Sequence, residues 1–210
     1  MRVVIFGANG KTGSLLVEQA LAKGYQVTAY VRREDSKLQL HPSLKIITGN
    51  LNDDLMLKKA VTGADACFSA LGGSSLTKHS TEIMDGINHI VTIMEQTGVK
   101  RFIYLSSIGA GDSRLYMAQP LRFIVTGLML RVPLADHNAN EKRLAKSKLQ
   151  WTVVRPGSLT NGPNTGKIIH GAKETTMKGN FRVSRANVAA FMLKQLSQRA
   201  YINKSAWLYE

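Results

Sequence analysis

The stretch that most constrains this chain is Arg2 to Gly13, Arg-Val-Val-Ile-Phe-Gly-Ala-Asn-Gly-Lys-Thr-Gly. Val3 to Phe6 are continuously apolar, as in a strand buried on both faces. Gly7, Gly10 and Gly13 follow at a spacing of three, and Ser14 to Lys23 has helical periodicity, with Leu16, Val17, Ala20 and Leu21 on one side and Gly24 at its end. Strand, glycine turn and helix together form a phosphate cradle. Gly7 permits the sharp exit from the strand, Gly10 a close backbone approach to a diphosphate, and Gly13 tight packing of helix on sheet. The helix N-terminus adds unpaired N–H groups and a partial positive charge.

The rest of the chain repeats the strand–helix rhythm. Strands are expected at Tyr25–Val31, Leu44–Thr48, Ala64–Ala70, Arg101–Leu105 and Trp151–Arg155, with a last edge strand at Ala206–Tyr209. Asn52, Asp53 and Asp54 open a helix with Leu55, Ala60 and Val61 facing inward and Gly63 ending it. Thr81–Thr97 is a long helix with an apolar stripe of Ile83, Met84, Ile87, Ile90, Val91 and Met94. Asp136–Lys146 is a charged helix containing His137 and Glu141, and Ser184–Leu196 a capped one. The expected fold class is α/β: a Rossmann-type, doubly wound parallel sheet in three α/β/α layers. One NAD(P)-binding domain over 1–210 is expected, with 110–135 and 160–180 as segments covering a substrate. In 110–135 the dense apolar run is bounded by Arg122, Arg131 and Pro133, too short and charged to span a bilayer.

In this fold the tip of the second strand meets the adenosine ribose. An acidic residue there suits the 2′-hydroxyl of NAD, and arginine suits the 2′-phosphate of NADP. Arg32 and Arg33 occupy the tip and Lys37 is close by, so NADP(H) is expected over NAD(H), although Glu34 and Asp35 follow at once. Gly49-Asn50-Leu51 stands where a side chain reaches the adenine. Leu71-Gly72-Gly73 forms a second glycine turn at a strand's C-terminal end. Ser106 and Ser107 close the fifth strand, and the Ser107 hydroxyl is placed to bind a substrate carbonyl or the nicotinamide amide.

The formal charge of +14 suits anionic small ligands. The basic residues are dispersed, the densest groups being Lys142, Arg143, Lys146 and Lys148 on one helix and Lys173 with Lys178 in a loop, and none is interleaved with aromatics. No specific nucleic-acid partner is expected. The single cysteine, Cys67, excludes an internal disulfide and a cysteine-based zinc site. Asp53 and Asp54 are read as helix-dipole partners, and His79 and His89 as helix-surface residues, so no metal site is expected. The chain opens directly on a strand, without a leader, and a cytoplasmic protein with no membrane span is expected, as a monomer or homodimer.

Three features coincide: Gly-Ala-Asn-Gly-Lys-Thr-Gly, the Leu-Ser-Ser strand end, and Ser-Lys-Leu-Gln-Trp-Thr-Val-Val-Arg-Pro-Gly-Ser-Leu-Thr-Asn-Gly-Pro. Together they resemble the atypical short-chain dehydrogenase/reductases, in particular the NAD(P)H-binding group that includes biliverdin-IXβ reductase/flavin reductase and the NmrA-like proteins. The resemblance implies that Gly7, Asn9, Gly10, Lys11, Thr12 and Gly13 hold the pyrophosphate, and Arg32 and Arg33 the 2′-phosphate. Asn50 and Leu51 lie at the adenine, with Asn50 where the family usually has Asp. Leu71 and Gly72 line the path to the nicotinamide, with Ser106 and Pro156 completing the cofactor set. Ser107 corresponds to the active-site serine of the flavin reductases.

Two departures matter. No tyrosine has lysine four residues on: Tyr104 is followed by Ile108 and Tyr116 by Pro120. Ser158 stands where the flavin reductase has a histidine. Flavin or quinone reduction tolerates the lack of a dedicated acid better than ketone reduction does; His137 and Tyr116 are the fallback acids. The resemblance thus implies an NADPH-dependent reductase of a flavin, quinone or biliverdin-like acceptor, a flavin being one candidate substrate. The alternative is a non-catalytic NADP(H)-sensing regulator of the NmrA kind that acts through a protein partner.

Overall fold

The computed structural model describes residues 1–33, 38–73, 75–116, 130–172 and 181–210. Its order is β1 (Arg2–Phe6), α1 (Lys11–Ala22), β2 (Gln26–Val31), β3 (Leu44–Thr48), α2 (Asp54–Val61), β4 (Ala66–Ser69), α3 (Thr81–Thr97), β5 (Arg101–Leu105), a 3-10 helix (Gly111–Tyr116) and α4 (Arg131–Ala145). Then come β6 (Gln150–Pro156), β7 (Ser158–Thr160), β8 (Ile169–Gly171), β9 (Arg182–Ser184), α5 (Arg185–Lys194) and β10 (Lys204–Tyr209).

The main sheet has the strand order β3-β2-β1-β4-β5-β6-β10-β8, parallel except for β8. Helices cover both faces, which is why the central strands are apolar on both sides. Val3 and Ile5 of β1, with Ile103 and Leu105 of β5, join the core under α1 and α5. Val4 and Phe6, with Phe102 and Tyr104, join the core under α2, α3 and α4. The alternation within each strand is the two-residue period of the pleat. The expected α/β/α Rossmann-type architecture is therefore what the chain adopts.

Helix ends follow local chemistry. Asp53 caps α2, its carboxylate accepting from the Met56 N–H at 3.0 Å. Ser184 caps α5, accepting from the Asn187 N–H at 3.1 Å. Gly98 ends α3 in the left-handed region, at φ 74°.

Four expectations are corrected. Leu55 is 77% exposed, and Leu57 instead fills the core with Ala60 and Val61. With Asp53 as the N-cap, the inward face of this short helix falls on Leu57 and not on Leu55. The charged helix begins at Arg131, five residues before Asp136, because Pro133 falls in its first turn, where no intrahelical N–H bond is lost. That helix ends at Ala145, so of its basic group Lys146 is the capping residue and Lys148 lies beyond the end. The last strand is not an edge strand: β10 lies between β6 and the antiparallel β8, which is too short and too exposed to show alternation. Residues 117–129 and 173–180, the greater part of the expected covering segments, lie outside the described residues, as do Glu34, Asp35, Lys37, Lys173 and Lys178.

Candidate functional site

Strand order reverses between β1 and β4, and a crevice opens there at the C-terminal ends of the strands. It holds a cavity of about 770 Å³. Gly7, Asn9 and Gly10 form its floor, Arg32, Arg33 and Leu51 one end, and Leu71 and Gly72 the other, so eight of the expected residues meet in one place.

The floor is built from backbone. Gly7 has φ 77°, and a Cβ there would stand 2.8 Å from the Ala70 carbonyl carbon. A Cβ on Gly13 would stand 2.0 Å from the Gly7 carbonyl oxygen. Turn, α1 and β4 therefore close up only with glycine at both positions. Gly10 is the N-cap of α1, in extended conformation. It provides no side-chain cap, and the first turn holds no acid. The helix thus presents its amide end to the cavity uncompensated, the arrangement that suits a phosphate. Thr12 and Gly13 are buried under this turn and Lys11 is exposed on it. A dinucleotide's diphosphate fits this floor on its geometry alone.

The Arg32–Arg33 end adds Tyr30, whose hydroxyl donates to the Asn50 carbonyl at 2.8 Å and whose ring lies on the cavity wall. Burial, then the nearby Asp53 charge, pushes its pKa up to about 12, so it remains a neutral donor. Asn50 itself is exposed and enters through this carbonyl. Arg32 stands 3.7 Å from Glu82 with both side chains well exposed, a pairing weak enough to give way to a phosphate.

The opposite wall was not legible in the sequence. It is the start of α3 with the residues before it: His79, Ser80, Thr81, Glu82 and Ile83. His79 is exposed, as expected, and is also paired. Its Nδ1 lies 2.5 Å from Asp136 Oδ1, and Asp136 Oδ2 accepts from the Ser80 N–H at 2.8 Å. The contact spans 57 residues of sequence, which no local pattern could reveal. His89, by contrast, pairs with Asp54 at 2.7 Å on the surface. Among the described residues no group of three or more His, Cys, Asp or Glu is placed to hold a metal ion.

Beyond the end of β5 the site is supported by side chains. Arg155 is 5% exposed. It grips Glu141 through Nε at 3.1 Å and Nη2 at 2.6 Å, and Asp112 through Nη1 at 2.5 Å. Burial alone would lower its pKa; the two carboxylates reverse this and hold it above the usual value. The Ser106 hydroxyl donates to Glu141 at 2.6 Å, and Ser107, half-buried, turns its hydroxyl toward the Ile108 carbonyl at 3.2 Å. Pro156 is buried in β6, its carbonyl accepting from the Ile108 N–H. Neither serine nor Pro156 lies on the cavity lining. The Arg-Pro-Gly segment thus ties β6 to α4 and to the 3-10 helix behind the crevice.

Tyr104 and His137 form a second buried pair. Asn140 donates to the Tyr104 oxygen at 3.0 Å, leaving the Tyr104 hydrogen for His137 Nδ1 at 2.8 Å. Burial raises the Tyr104 pKa well above the usual phenol range, so the proton stays on tyrosine. Burial also lowers that of His137, against the opposing pull of Glu141 and Asp136. His137 is therefore neutral, with its remaining proton on Nε2.

A family model described as NAD(P)H-binding matches residues 7–199. The chain belongs to this NAD(P)H-binding family. The match covers the cavity floor, both walls and the Arg155 network. Among relatives, an uncharacterized chloroplastic protein of Arabidopsis thaliana is 30% identical over 94% of this chain and 72% of its own length. The uncharacterized sugar epimerase YhfK of Bacillus subtilis is 28% identical over 100% and 94%. Among solved structures, the anaerobilin reductase ChuY of Escherichia coli O157:H7 aligns over 100% of this chain and 97% of its own, at 26% identity and TM-score 0.82. A short-chain dehydrogenase/reductase of Veillonella parvula in complex with NADP shares the fold at TM-score 0.84 and 18% identity, over 100% and 94%. The resemblance to atypical short-chain dehydrogenase/reductases is borne out. No helix among the described residues is long and apolar enough to cross a membrane.

Proposed function

We propose that this chain is an NADPH-dependent reductase that delivers hydride to a conjugated acceptor of the flavin, quinone or biliverdin-like class. The observation that carries the reading is the cavity itself. One continuous space joins a backbone cradle for a diphosphate to two arginines at the ribose end and to an open glycine turn, Leu71–Gly73, at the other. Gly7 to Gly13 hold the diphosphate, Arg32 and Arg33 the 2′-phosphate, and Tyr30, Asn50 and Leu51 the adenine. When bound, the nicotinamide supplies the hydride.

The remaining work belongs to the chain. Leu71 and Gly72 would hold the nicotinamide at their end of the cavity, and Ser106, Ser107 and Pro156 support the strand ends behind the lining. ChuY, an anaerobilin reductase, and the oxidoreductase aflX of Aspergillus parasiticus, 26% identical over 92% of this chain, support hydride transfer. An acceptor whose conjugated system already draws electrons suits a site whose strand-end hydroxyls are turned to the protein.

That last feature also favours a second reading, an NADP(H)-sensing regulator without turnover. One assay separates the two. The protein is mixed with NADPH and FMN, riboflavin, biliverdin or quinones, and the nicotinamide absorbance is followed. Oxidation dependent on an acceptor supports the reductase; tight NADPH binding with no oxidation by any acceptor supports the regulator.

A further inference from the structure

Every two-electron reduction by hydride leaves the acceptor one proton short. The described residues around the crevice contain several groups that could supply it, and the geometry eliminates most of them. Tyr104 is bonded on both sides and kept protonated by burial. His137 is held neutral, with Nδ1 occupied by the Tyr104 hydroxyl. The hydroxyls of Ser106 and Ser107 point to Glu141 and to the Ile108 carbonyl. Tyr30 donates to Asn50. Of the ionisable groups lining the cavity this leaves Arg32, Arg33, Glu82 and His79. Arginine does not release its proton, and Glu82 faces Arg32 at the mouth.

His79 has the build of a proton donor. Asp136 is only 8% exposed and has both oxygens engaged, one by the Ser80 N–H and one by His79 Nδ1. It cannot turn away, so it fixes the ring and keeps a proton on Nδ1. The His79 side chain is 56% exposed, and it shares the cavity with the Leu71–Gly73 turn. One nitrogen is therefore anchored by a buried carboxylate while the other is on the wet side. Resting on the reductase reading above, we propose that His79, oriented by Asp136, is the general acid that protonates the reduced acceptor.

The acceptor gains a hydride from NADPH, which leaves oxidised, and a proton from the doubly protonated imidazole. The Nε2–H bond breaks and an O–H or N–H bond forms on the acceptor. His79 is left neutral with Nδ1–H still on Asp136, and its exposed edge takes a proton back from water. Asp136 is a positioning residue, stabilising the cationic ring without touching the acceptor.

The test has two independent readouts. The first is ¹⁵N NMR of the imidazole rings in nucleotide-free protein. The neutral His79 ring should carry its proton on Nδ1, and Asp136→Asn should move it to Nε2. The variant amide still accepts from Ser80 N–H but presents its own N–H to the ring. The second is turnover with the acceptor panel, alongside NADPH affinity. His79→Gln should leave NADPH affinity within about twofold and reduce turnover about 100-fold. Asp136→Asn should reduce it about tenfold, and added imidazole should partly restore His79→Gly. A wild-type rate in His79→Gln, or a His79 ring protonated on Nε2 in the wild type, overturns the dyad alone. Absence of turnover in the wild type with every acceptor overturns the reductase reading, and the proton donor with it.

Discussion

The two walls of the crevice are made of different materials. The β1–α1 wall is backbone: a left-handed glycine, a second glycine on which no Cβ fits, and the bare end of a helix. The wall reaching from α3 to α4 is side chain: His79 on Asp136, and behind it Tyr104 on His137 and Glu141 on Arg155. The first recognises what every dinucleotide has in common and needs only a short local sequence. The second is assembled from residues up to 57 positions apart, and on the proposed reading it is there that the acceptor and its proton chemistry are set. A fold can thus keep its cofactor wall while the facing wall diverges.

Substitutions should break the two walls in different ways. Gly13→Val should have the largest effect, since its Cβ would stand 2.0 Å from a backbone oxygen that cannot move aside. A loss of about 5 kcal/mol in urea unfolding, with no detectable NADPH binding in whatever folds, is expected. Arg155→Met should come next, because it strands the Glu141 carboxylate in the interior. About 3–5 kcal/mol should be lost, and the double variant Arg155→Met/Glu141→Gln should lose less than the sum of the two. Here stability should fall before NADPH affinity does, which distinguishes a supporting network from a cofactor contact.

Arg32→Ala with Arg33→Ala should be smaller still and confined to one ligand. NADPH affinity should fall about tenfold or more, and NADH affinity little. Equal losses would remove the arginines from the 2′-phosphate. The least effect is on pH dependence. Burial lowers the His137 pKa below the usual 6.5, so between the lowered value and 6.5 the unfolded chain binds the extra proton. His137 thus contributes stability that is full above about pH 6.5 and is lost as pH falls through its folded value. His137→Gln should flatten the fall of the urea midpoint on acidification, measured by circular dichroism. His170, also lowered by burial and by Lys194, should keep some of the slope in place.

What could be read in advance follows the same division. Strands β1, β3 and β5 and helix α3 are legible from apolar runs and glycine punctuation, because both faces of the sheet are covered and the central strands are mostly apolar. The Gly7–Gly13 turn was legible because its chemistry is local. Leu55 was misjudged because an eight-residue helix leaves its phase to the cap, and the start of α4 because a first-turn proline is indistinguishable from a break until the helix axis is known. Short strands such as β8 carry too few residues for a period. The His79–Asp136 pair had no signature at all: two common polar residues, separated by the whole of α3 and β5, meet because α3 and α4 both begin at the C-terminal edge of the sheet.

On this reading the crevice between β1 and β4 holds NADP(H) through the glycine turn. Calorimetric titration of the protein with NADPH tests it most directly. Saturable one-to-one binding is expected in the wild type, abolished by Gly10→Asp, which places a negative charge at the α1 N-cap, in a variant whose thermal unfolding matches the wild type. No heat of binding in the wild type, or undiminished binding in folded Gly10→Asp protein, would contradict it.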